Sequence, residues 1–216
     1  MSTLLSLNGQ TITGSIHIPA VGATIVQFTG NPEFQVPQTG NVVQFGEISF
    51  TCAKVRAEQW QGSTIGKLVS GAGGWGKVLG PKFYRLPAGV KLSLILGDAA
   101  REVGETIDVS PDRVLGPFYV RENFPAQTLL NRLCVDWYIS PDGVTHTGPR
   151  ASGTVSSRFD VIDNDPSFSR VVVATDAPLD WVPGHTFSNG YIPTRTIDSV
   201  THIIQGTTCR TEVLCV

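Results

Sequence analysis

Two stretches of the chain repeat their apolar residues every three to four positions, and both lie in its middle third. Leu92, Ile95, Leu96, Ala99 and Val103 share one face of a predicted helix, with Asp98, Arg101 and Glu102 opposite. Gly104 is its natural stop. A second helix is expected from near Pro125, a good first-turn residue, with Ala126, Leu129, Leu130 and Leu133 as its buried stripe. On both sides the pattern changes to short runs with an alternating tendency. Residues 10–18, 23–29, 41–45, 48–55 and 63–70 read as strands, separated by Gly- and Pro-marked turns. Residues 157–162, 170–175, 186–187, 196–205 and 208–216 do the same, the last two as a hairpin around Gly206. Ile197, Val200 and Ile203 do not share parity, so a bulge or two-sided burial is expected there.

The helical segment closes with its own hairpin. Residues 135–139 and 144–147 flank Ser140-Pro-Asp-Gly143, a turn sequence. The expected fold is mainly β with an α+β insert. Two small β-barrel-like domains, residues 1–85 and 151–216, flank a helix-helix-hairpin unit at 86–150.

Charge and composition narrow the function. Charged residues make up 16% of the 216, against about 25% in a typical soluble domain. A surface so poor in charge is either covered by small polar residues or hidden in subunit contacts, and the second reading is favoured. The net charge is −2 and there is no Lys/Arg run, which argues against sequence-specific nucleic-acid binding. A passive DNA channel remains compatible, since its wall must not stick to phosphate. No apolar run approaches the ~20 residues of a membrane span. Residues 1–9 lack the basic and apolar regions of a secretion signal. Cys52, Cys134, Cys209 and Cys215 form no CxxC pair and are expected as free thiols of a protein made in a cytoplasm. Cys209 and Cys215 are six apart, so they face one side of a regular strand.

The motifs for chemistry fail on nameable residues. Gly71 to Lys77 matches the phosphate-cradling G-x-x-x-x-G-K loop. However, Val78 stands where a Mg²⁺-binding Ser or Thr is needed, and Pro81 prevents a helix from starting there. The loop is instead a place of close backbone approach. Trp75 is its packing or contact anchor, and Gly71, Gly73, Gly74, Trp75 and Gly76 are the interface candidates. His17, His146, His185 and His202 have no metal-site spacing. Asp160, Asp163 and Asp165 lack the pattern of a Ca²⁺ loop, and residues 164–166 read better as a turn. No G-x-S-x-G occurs. No catalytic residue, metal or cofactor is expected.

Several stretches resemble one family. Residues 69–76 read VSGAGGWG, and Tyr84 and the helix-bearing residues 88–105 follow. Residues 129–150 contain Trp137-Tyr138 and DGVTHTGPR at 142–150, and residues 8–19 also fit. Together, over about residues 8–175, they resemble tail proteins of tailed bacteriophages. Residues 197–202 and 209–213 are similar to the closing hairpin of baseplate hub proteins. The resemblance implies a non-enzymatic virion tail component, made in a host bacterial cytoplasm. It further implies a homotrimeric hub whose paired barrels form a pseudo-sixfold ring. That ring would join tail tube to central spike, contact other baseplate proteins and line the DNA ejection channel. At 216 residues the chain is short for a hub, since many carry a further domain. The alternatives are another tail ring protein (distal tail or wedge) and an envelope-directed hydrolase or carbohydrate-binding module, for which His146 and His202 are the best candidates.

Overall fold

The computed structural model describes residues 4–216; residues 1–3, which belong to the start expected not to be a secretion signal, lie outside the described residues. The N-terminal unit holds β1 (Leu5–Leu7), β2 (Gln10–Thr11), β3 (Thr13–Pro19), β4 (Ile25–Gly30), β5 (Asn41–Phe45), β6 (Ile48–Trp60) and β7 (Ser63–Ser70). The middle of the chain holds β8 (Val78–Leu79), β9 (Lys82–Lys91), α1 (Leu92–Val103), β10 (Thr106–Asp108), β11 (Val114–Arg121), β12 (Phe124–Pro125), α2 (Ala126–Leu133), β13 (Trp137–Ile139) and β14 (Val144–Thr147). It forms one unit, the insert, in which β8 and the start of β9 precede the boundary expected at residue 86. The C-terminal unit holds β15 (Gly153–Thr154), β16 (Phe159–Asp165), β17 (Arg170–Thr175), β18 (His185–Phe187), β19 (Arg195–Gln205) and β20 (Thr208–Cys215). The fold is mainly β with a small helical insert, as the sequence predicts.

The N-terminal strands return on themselves. β2 and β3 are one bent segment: β2 pairs with β1, while β3 pairs with β4. The path then runs through β7, β6 and β5 back to β1. Closure of this kind protects most strand edges. Inside lie Leu5, Ile16, Val26, Phe28, Phe45 and Leu68, each almost fully buried.

The C-terminal unit uses a similar device. The start of β19 pairs with β18, and its later part pairs with β3. On its other side β19 pairs with β20, which continues to β17 and β16. The two β units therefore share one hydrogen-bonded path. The β19–β20 hairpin also spans both cores: Ile204 belongs to the N-terminal cluster, while Ile197, Val200 and Val213 belong to the C-terminal one around Trp181 and Phe187. The parity break in β19 is resolved by a register shift between Ile197 and Ser199, which lets Ile197, Val200 and Ile204 all turn inward. All four cysteines are free; Cys209 packs against the first core and Cys215 lies in the second.

The insert has its own core, centred on Ile95, Leu96, Ala99, Leu129, Leu130 and Trp137. Trp75, Leu79 and Tyr84 join it. α1 ends where Gly104 turns left-handed at φ 82°, and its N–H closes on the Ala100 carbonyl. No helix among the described residues is long and apolar enough to cross a membrane.

Candidate assembly surfaces

The glycine-rich loop after β7 turns inward. The Glu105 carboxylate, just past α1, accepts the Ala72 N–H at 3.1 Å and the Gly74 N–H in a very short hydrogen bond. Burial pushes the Glu105 carboxyl up, and the loop N–H groups oppose that shift. Gly71 N–H donates to the Thr51 carbonyl at 2.9 Å. A Cβ on Gly74 would sit 2.3 Å from the Val103 carbonyl oxygen, and one on Gly73 would sit 2.8 Å from Ala53 Cβ. Trp75 is only 5% exposed, and its indole N–H donates to Thr145 Oγ1 at 2.8 Å. Gly71, Gly74 and Trp75 are thus buried within the chain, Gly73 is half-buried, and Ala72 and Gly76 are exposed. The loop fastens the N-terminal unit to the insert. Two of the amides that would cradle a phosphate already hold a carboxylate, and Val78 opens a strand rather than a helix.

The histidines take separate positions. His202 is buried, with Nδ1 3.1 Å from Thr211 Oγ1 and its ring against Phe45. His146 stacks on Tyr138 with Nδ1 3.4 Å from Asp108. His17 meets Thr201, and His185 meets the Asp180 carbonyl. Among the described residues, no three His, Cys, Asp or Glu side chains gather as metal ligands would. Asp163 pairs with Arg170 at 2.7 Å, and Asp165 caps the short turn at Pro166–Phe168.

The conspicuous exposed surface is a ribbon that the sequence reading missed. Among the described residues β9 and β11 pair only with each other, Tyr119 opposite Tyr84 and Val120 opposite Phe83. The inner face is anchored. Arg121, almost fully buried, pairs with Glu102 and donates to the Gly80 carbonyl at 3.0 Å, and Lys82 and Tyr84 both bind Asp98. The outer face carries Phe83, Phe118 and Val120, each more than half exposed, with Arg85 between them. The ribbon is supported on one face only, by α1, and its apolar outer face has the character of a contact surface. The aromatic and β-branched residues Phe83, Tyr84, Phe118, Tyr119 and Val120 were the available strand signal; Pro87, Gly89, Gly116 and Pro117 obscured it.

Among the described residues β16 has β17 as its sole strand neighbour, which leaves its other edge without a strand partner there. It carries exposed Asp160, Ile162 and Asp163.

No protein-family model and no curated protein sequence matches the chain. Solved structures do. The Escherichia coli c3393 protein, a type VI secretion system component with structural similarity to the T4 bacteriophage tail proteins gp27 and gp5, aligns with a TM-score of 0.61 at 10% identity, over 98% of this chain and 76% of that one. A tail protein from Neisseria meningitidis MC58 aligns at 0.61 and 12% identity, over 98% of this chain and 94% of that one. The 43 kDa tail protein of prophage MuSo2 from Shewanella oneidensis aligns at 0.63 and 12% identity, covering 98% and 96%. The chain has a phage-tail-protein fold. At these identities the likeness is one of fold, and it spans both β units and the insert together. It bears out, at the level of the fold, the tail-protein resemblance carried by residues 8–175.

Proposed function

We propose that this chain is a non-enzymatic structural subunit of a bacteriophage tail. Within the tail we assign it to the baseplate hub, where a homotrimer joins the tail tube to the central spike and lines the path of the DNA. The observation that carries this reading is the pairing of two β units in one chain, fused through the β19–β3 ladder. Three copies supply six such units, enough to continue a sixfold tube. Such ring contacts are heterologous and close only if each copy offers two complementary surfaces.

Two surfaces of that kind are present. The outer face of the β9–β11 ribbon is apolar and carries one basic side chain, Arg85, beside Phe83 and Phe118. The β16 edge is acidic, with Ile162 among its aspartates. The occupant proposed for the ribbon is therefore the β16 edge of a second copy. Native mass spectrometry, alone and with tail components, should give a trimer. Replacing Phe83 and Phe118 together by serine should leave the melting temperature within about 3 °C, because both side chains are already in solvent. It should also weaken association at least tenfold. A chain that stays monomeric with and without tail components would sink the hub reading. Sixfold symmetry in a tail reconstruction would move the chain to another tail ring, a distal tail or wedge protein.

A further inference from the structure

Two buried hydrogen-bond donors in the described residues have no acceptor: Arg150 Nη2 and Trp181 Nε1. Both residues border the same cavity, about 220 Å³, where the N-terminal unit, the insert hairpin and the C-terminal unit meet, with the two donor atoms themselves buried beneath its surface. The rest of the wall is mainly apolar, with Ile18, Ile48, Phe50 and Leu179 among its residues and Tyr138, His185 and His202 adding polar atoms, and no Asp or Glu lines it. The guanidinium is held from two sides. Nε donates to the Pro19 carbonyl at 3.3 Å, and the group lies 4.3 Å from the centre of the Tyr138 ring. Desolvation lowers the Arg150 pKa to about 10, which leaves it cationic at neutral pH. A partly buried cation without a counter-charge is costly, and a buried donor such as Arg150 Nη2 is normally paired. Nδ1 of His202 and of His185 meet Thr211 Oγ1 and the Asp180 carbonyl, and a histidine ring, neutral or cationic, supplies no negative charge.

We propose that this cavity is a binding site for a carboxylate group, with Arg150 and Trp181 as its donors. A carboxylate supplies two acceptor oxygens and the missing negative charge. The cavity is smaller than the roughly 300–1,000 Å³ of a drug-sized site, which suits one acidic side chain, a chain-terminal carboxyl or a small free acid. Arg150 as a whole is half-buried, so a change of rotamer brings Nη2 to an entering group. The site needs no particular place in a tail, so its failure leaves the hub reading standing.

The test reads the indole N–H of Trp181 by ¹⁵N–¹H NMR, assigned with Trp181→Phe. Propionate, added at constant ionic strength, should move that resonance saturably, while propionamide and chloride should not. Arg150→Gln should weaken propionate at least tenfold, with the Trp75 indole resonance unmoved as proof of an intact fold. N-acetylglutamate amide binding tighter than propionate would support the site and assign it to an acidic side chain of a partner polypeptide. N-acetylglycine binding tightest would support it as a chain-terminal site, and equal affinity would support it as a site for small free acids. No saturable shift with any of the three, or an equal shift with propionamide, would overturn the proposal and leave a hydrated or apolar cavity.

Discussion

Gly74→Ala will destabilise the protein by about 3 kcal/mol, within the range for forcing an extra methyl into a packed site. In a domain of this size that lowers the melting temperature by about 6–12 °C. The new Cβ would lie 2.3 Å from the Val103 carbonyl oxygen and 3.0 Å from Glu105 Cγ. The nearest atom is backbone at the last turn of α1, so no side chain can swing aside to make room. The loop would have to lift, which breaks its N–H donation to Glu105 and pulls on Trp75. Gly76→Ala is the control. A Cβ there meets nothing within 4 Å, and its effect should stay within about 1 kcal/mol. Thermal unfolding of both variants decides the matter; a Gly74→Ala protein melting within 2 °C of the parent would show that the loop is not held as described.

Acid will weaken the fold above the ordinary carboxylate range, and His202 is the main reason. Burial lowers its pKa to about 4, from an ordinary value of 6.5. Between those two values the unfolded chain binds a proton that the native chain does not. Stability is therefore complete above pH 6.5 and falls as pH drops towards 4. At 1.36 kcal/mol per unit, lowering the pH from 6.5 to 5 removes about 2 kcal/mol. His17, also lowered by burial, acts in the same direction. Glu105, raised by burial, acts oppositely, because its native form holds a proton that the unfolded chain has released. Asp98, Glu102, Asp112 and Asp142 are lowered and lose their contribution below the ordinary carboxylate range. His202→Gln should be less stable at pH 7, since the ring's contact with Phe45 is lost. Its stability should nevertheless change much less between pH 6.5 and 5. Urea titrations at the two pH values supply the comparison, and an unchanged slope in the variant would acquit His202.

What could be read from the sequence was local. The stripe from Leu92 to Val103 produced α1 with the expected stop at Gly104, and α2 begins at Ala126, directly after Pro125. The uneven spacing of Ile197, Val200 and Ile203 announced the bulge in β19. What could not be read depends on distant pairing. Nothing near residue 75 shows whether its loop faces a neighbour or the chain's own Glu105 and Thr145. The ribbon needs Phe83 to meet Val120 across α1, and the sequence between them carries no register. The Arg150–Trp181 cavity requires both β units and the insert to be docked, so neither residue stands out in its own segment.

The hairpin shared by the two β units also sets a timetable. His17 in β3 bonds to Thr201 in β19 across 184 positions of chain. A ribosome adding roughly 5–20 residues per second needs on the order of ten to forty seconds to cover that distance. Through that interval β3 has β4 but not its second long partner, and Ile204 is missing from the first core. Loop closure on this scale makes folding slow, and an open strand edge invites pairing with another nascent chain. The same edge-to-edge chemistry that suits a ring subunit thus becomes a hazard during synthesis, and the final hairpin is the step that ends it.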